Sequence, residues 1–146
     1  MRKYVNSKTL CASLVSAAFS TAFAMAELIM GLEQGAAAPS LKTAILTAAG
    51  YFGYFLVAFW VVVLCCEAAK KLLKVKILDA ILAFLIYFGL ESLFLYFSIA
   101  AERGAAAISL ADFILLRLKS GQYIFSLQFF AIAYAFYKIF TSPKRS

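Results

Sequence analysis

The sequence predicts an all-α integral membrane protein, a four-transmembrane-helix bundle with a short amphipathic surface helix between helices 3 and 4. Three observations predict it. Hydrophobic residues make up 65% of the 146 and charged residues 14%, too few to cover a soluble surface. Four apolar runs each approach or exceed the roughly 20 residues that a helix needs to cross a bilayer. The basic residues also fall unevenly between the segments that connect those runs. A single transmembrane domain over residues 1–146 is expected, with helices at about 10–32, 44–66, 77–100 and 122–141 and the surface helix at about 109–120.

The first run follows the basic residues Arg2, Lys3 and Lys8. A basic start, an apolar middle and small residues at Ala22-Phe23-Ala24 or Ala24-Met25-Ala26 resemble a secretory signal with its cleavage site. The run continues through Leu28-Ile29-Met30, past either site, so a retained helix is the expectation. Ala12, Ser16, Ser20 and Ala24 recur at every fourth position. Small side chains at that spacing form a helix-packing face, because they let a second backbone come close and gain dispersion and hydroxyl hydrogen bonds.

Glu33, Gly35, Pro39 and Lys42 break the chain before the second run. That run has a small-residue notch at Ala49 and Gly53, with Gly50 alongside, and Tyr51 and Tyr54 in its first half. Trp60 lies toward its far end, where an indole can sit near an interface. Lys70, Lys71, Lys74 and Lys76 come next, as a basic loop suited to lipid headgroups.

The third run, ILDAILAFLIYFGLESLFLYFSIA, carries Glu91 deep inside it. A carboxylate at that depth is costly, and by default it marks a buried structural hydrogen bond or a functional site. Beyond Arg103, Ser109-Leu-Ala-Asp112 has capping-box spacing and Ser120-Gly121 supplies a stop. Ile108, Ala111, Leu115 and Leu118 share one face of the helix between them, with Asp112 and Lys119 off it. Too short to span, it is expected in the headgroup region or on the rim of the bundle. The last run carries Gln128 among many aromatics.

The N-terminal tail, the lysine loop and the C-terminal end hold most of the basic residues, while Lys42, Arg103, Arg117 and Lys119 fall in the other two connections. The positive-inside bias then puts both termini in the cytoplasm, of a plasma or inner membrane, which agrees with four crossings. Depth follows at about 1.5 Å per residue. Glu91 lies roughly 13 Å down its helix, Glu27 about 7 to 8 Å, Gln128 about 9 Å, and Tyr51 and Tyr54 about 10 to 16 Å. An intramembrane polar cluster of Glu27, Glu91, Gln128, Tyr51 and Tyr54 would satisfy each group internally. No Lys or Arg sits in the middle of a run, so a bound proton or another chain is expected to balance the two carboxylates.

The chain has no histidine, which excludes His-ligated haem, His–carboxylate metal sites and Ser–His–Asp or Cys–His catalysis. Cys11, Cys65 and Cys66 gather at one membrane edge without a fourth soft ligand, and they read as packing residues. No metal, cofactor or catalytic residue is expected. The basic residues flank apolar runs, which fits a lipid bilayer rather than nucleic acid.

Four short crossings with Ala26-Glu27 in the first resemble small multidrug transporters, from which the lysine loop, the extra helix and the longer chain depart. The topology alone is also similar to that of MARVEL-type vesicle proteins and some colicin immunity proteins, with no shared motif. The functional expectation is a non-enzymatic multi-pass membrane protein, a subunit of a homo-oligomeric or larger membrane complex. One alternative is an oligomeric proton-coupled transporter or channel using Glu27 and Glu91. Another is a membrane effector or immunity protein acting on another membrane protein.

Overall fold

The computed structural model describes residues 6–32, 40–72, 76–103 and 109–141, which are helical apart from caps and one turn. Five helices follow one another: α1 (Ser7–Leu32), α2 (Leu41–Leu72), α3 (Lys76–Arg103), α4 (Leu110–Lys119) and α5 (Tyr123–Thr141). Among them α1, α2, α3 and α5 are long and apolar enough to cross a membrane.

Most helix starts have identifiable caps. Asn6 Oδ1 accepts the Thr9 N–H at 2.8 Å, and Ser40 Oγ accepts that of Thr43 at 3.2 Å. Ser109 caps α4 as its spacing predicts, accepting the Asp112 N–H at 3.2 Å. Its hydroxyl also donates to Asp112 Oδ2 at 2.7 Å, so the serine is held from both ends. At the other end of α4, the Ser120 N–H reaches Leu116 O at 2.9 Å, and Gly121 takes a φ of +76°. That left-handed conformation suits glycine, which has no Cβ to strain.

One boundary departs from the sequence reading. α2 runs past Cys66 to Leu72, so Lys70 and Lys71 belong to a helix rather than to a loop. Glu67-Ala-Ala-Lys-Lys-Leu is built of strong helix formers, and cations complement the carbonyl end of a helix. Lys70 Nζ also lies 2.5 Å from Glu67 Oε1, one turn back. Lys74 and the side chain of Lys76 lie outside the described residues.

The chain divides into two compact units, one of residues 1–63 with 132–146 and the other of residues 64–131. In the first, Ala12, Ser13, Ser16, Ala17 and Ser20 of α1 are buried, as are Phe59, Val62 and Val63 of α2 and Ala133 and Tyr137 of α5. Phe19 is half exposed, and its ring meets that of Phe136 at 5.9 Å.

In the second unit, α4 and the start of α5 meet α3 in antiparallel order. Phe113 of α4 packs on Tyr96 at 5.7 Å, and Arg117, one turn on, reaches Glu91 and Ser92, one turn back. From α5, Ser126 reaches Glu91, Phe129 and Phe130 pack on Tyr87, and Phe130 packs on Phe84. α4 therefore packs along the C-terminal half of α3, and the start of α5 packs against Phe84, Tyr87 and Glu91, with the turn between them near Glu91.

The face of α4 turned toward α3 differs from the apolar face read from the sequence. Leu110, Phe113 and Ile114 are half-buried and Arg117 is buried, whereas Ala111, Leu115 and Leu118 are exposed. Ile108 lies outside the described residues. Both stripes have helical periodicity, and the aromatic Phe113 and the ion pair of Arg117 make the inward one the stronger contact.

Candidate functional site

α3 presents Tyr87, Phe88, Glu91 and Ser92 on one face, because positions i, i+1, i+4 and i+5 stack along a helix. Three of these side chains are buried and the Glu91 side chain is 12% exposed. A carboxylate so enclosed needs partners close by.

Arg117 is the principal one. Its residue is 4% exposed, and its Nη2 donates to Glu91 Oε2 at 2.9 Å and to Ser126 Oγ at 3.0 Å. Nη1 donates to Ser92 Oγ at 2.6 Å. The guanidinium carbon stands 4.9 Å from the centre of the Phe88 ring, a cation–π distance. The Ser126 hydroxyl donates a hydrogen bond to Glu91 Oε2 at 2.5 Å, and Tyr87 donates to Oε1 at 3.1 Å. Arg117 Nε is buried without a hydrogen-bond partner.

The network joins three helices through one ion pair. Glu91 and Ser92 come from α3, Arg117 from α4 and Ser126 from the first turn of α5. The forked guanidinium suits such a junction, since it donates in several fixed directions while a lysine offers a point charge. Removing one partner of a buried pair is far more damaging than removing both, because the other charge is left enclosed.

This arrangement corrects the expectation that a bound proton or another chain balances Glu91. Arg117 supplies a cation to Glu91, from a helix read as a surface element. It also corrects the place of Gln128, which is exposed. The buried positions of α5 are Ser126, Phe129, Phe130, Ala133 and Tyr137, a helical stripe from which Gln128 is turned away. Ser126 occupies the place expected for it.

The other expected residues are distributed as follows. Glu27 and Tyr51 are half-buried and Tyr54 is exposed, all in the first unit, while Glu91 and Gln128 belong to the second. Tyr51 stacks on Phe55 at 6.2 Å and Tyr54 meets the same ring edge-on at 5.4 Å. Ala12, Ser16 and Ser20 are buried and Ala24 is half-buried. Ser16 Oγ and Ser20 Oγ have no hydrogen-bond partner. Ala49, Gly50 and Gly53 are exposed, and a Cβ added to either glycine would meet nothing within 4 Å. Lys70 and Lys71 are exposed at the end of α2. Cys65 and Cys66 are buried and Cys11 is exposed.

Sequence reasoning missed Arg117, Ser92 and Ser126. The signal for Arg117 was its spacing from Leu110, Phe113 and Ile114, which places it on a mostly apolar stripe where a charge needs an explanation. Comparison with protein-family models, with curated proteins and with solved structures finds no match.

Proposed function

We propose that this chain is a non-enzymatic multi-pass membrane protein that works as a subunit of a homo-oligomer or a larger membrane complex. Both termini lie in the cytoplasm of a plasma or inner membrane, and Lys70 and Lys71 meet lipid headgroups there, with Lys74 and Lys76 beyond them. In lipid, helices gain little from hiding apolar surface and associate chiefly where small residues let backbones come close. The observation that carries the reading is the outer face of α2. Ala49, Gly50 and Gly53 lie exposed between Leu46 and Val57, which are 64% and 66% exposed. That notch has open space before it.

Glu91 fits the structural role better than proton carriage, because Arg117, Ser126 and Tyr87 already engage both its oxygens. The test is Gly53→Leu, which has room in the single chain and blocks close approach by another helix. In detergent, wild type is expected to run as a defined multimer or with a co-purifying membrane subunit. The variant is expected to keep its helical content and run as a monomer. A monomeric wild type, or an assembly unmoved by the substitution, would refute the reading.

A further inference from the structure

Glu91 stands near the middle of α3, about 18 Å from Arg103 and about 22 Å from Lys76 along the axis. The turn between α4 and α5 lies beside it, since Arg117 and Ser126 both bond to its carboxylate. At this turn the chain leaves helical geometry, with Gly121 at φ +76°, and Lys119, Ser120 and Gln122 are exposed. If α3 crosses a bilayer, as proposed above, three exposed polar side chains and a non-helical backbone stand at the depth of its middle. The Ser120 hydroxyl donates to Arg117 O at 3.2 Å, whereas lipid cannot satisfy the Lys119 ammonium or the Gln122 amide. Irregular backbone at membrane depth persists only where protein covers it or where it borders water.

We infer that the α4–α5 junction lines a water-filled recess, entering from the C-terminal side of α3 and stopping at the Arg117–Glu91 pair. Water fits better than a protein cover, because Lys119 carries an exposed charge and has no ion-pair partner among the described residues. Arg117, at 4% exposure, seals the inner end. Next to Lys119 in sequence, Leu118 is turned about 100° round the helix and is 45% exposed, which suits lipid. α4 thus has a wet edge and a lipid edge. Such a recess admits small hydrophilic solutes to the middle of the protein and presents them with a lysine ammonium and hydroxyl and amide groups.

The inference rests on the membrane-crossing reading, and the test separates the two. Spin labels are placed at Leu90, Leu118, Ser120 and Gln122 in a Cys11→Ala, Cys65→Ala, Cys66→Ala background and reconstituted in lipid vesicles. Collision with a water-soluble nickel chelate is compared with collision with oxygen. The expected result is oxygen-dominated collision at Leu90 and Leu118 and chelate-dominated collision at Ser120 and Gln122. A dry label at Ser120 or Gln122 overturns the recess and leaves the crossing intact. A wet Leu118 beside a dry Leu90 overturns it too, by placing α4 outside the hydrocarbon. A wet Leu90 removes the crossing itself.

Discussion

Arg117 and Glu91 matter as a pair, and their separate removal is informative. Arg117→Leu takes the guanidinium from Glu91, with Ser126 and Tyr87 still donating to the carboxylate, and Glu91→Leu leaves the guanidinium facing two serines. Each single change is expected to cost about 3 to 5 kcal/mol, whereas the double Leu variant recovers much of that loss. Thermal or detergent unfolding followed by circular dichroism reads the cycle. Additive losses would show that the pair is not coupled. Glu91→Gln keeps one carbonyl oxygen to accept from Arg117 and Ser126 and turns its amide N–H toward the Tyr87 hydroxyl, so it should be milder than Glu91→Leu although the ion pair is lost. If Glu91 instead carried protons, the Gln variant would fold but lose pH-driven flux in vesicles. The cost of an intramembrane carboxylate already marked Glu91 in the sequence, but not its partner. In the sequence Arg117 stands among the connection charges, and residue type and depth point to Gln128, although its angle around α5 turns it away. Depth was legible; azimuth required the buried stripe at Ser126, Phe129 and Phe130.

At the scale of elements, the turn after α4 depends on Gly121. Its φ of +76° costs an L-residue roughly 1 to 2 kcal/mol, so Gly121→Ala is expected to lower stability by about that amount. The added methyl itself would meet only Ile124 Cδ1 at 3.8 Å, so the loss would come from the backbone. Gly121→Asn should lose less, because asparagine tolerates that region. Equal stability of all three would show that the turn relaxes away from this geometry. Helix identities were legible because each long run is apolar throughout and each break carries turn residues or charge. The end of α2 was not, since an apolar window stops at Cys66 while helix formation continues through Glu67 to Leu72. The inward face of α4 was ambiguous for a related reason. Two stripes with helical periodicity compete, and only contact with Tyr96, Glu91 and Ser92 selects Leu110, Phe113, Ile114 and Arg117.

At the scale of the whole molecule, the proposals depend on four crossings with a fixed direction. Length and composition allow α1, α2, α3 and α5 to span. The proposed direction comes from the unequal distribution of lysine and arginine, through the preference of basic flanks for the cytoplasmic side. The two ends of α2 carry opposite assignments in this scheme. Lys42, exposed near its start, belongs outside, and Lys71, exposed near its end, belongs in the cytoplasm. The most direct measurement is labelling of Lys42→Cys and Lys71→Cys in intact cells with a membrane-impermeant thiol reagent, before and after permeabilisation. Lys42→Cys is expected to react in intact cells and Lys71→Cys only after permeabilisation. Reaction of both from the same side would contradict the crossing of α2, and with it the membrane placement of Glu91 and Arg117.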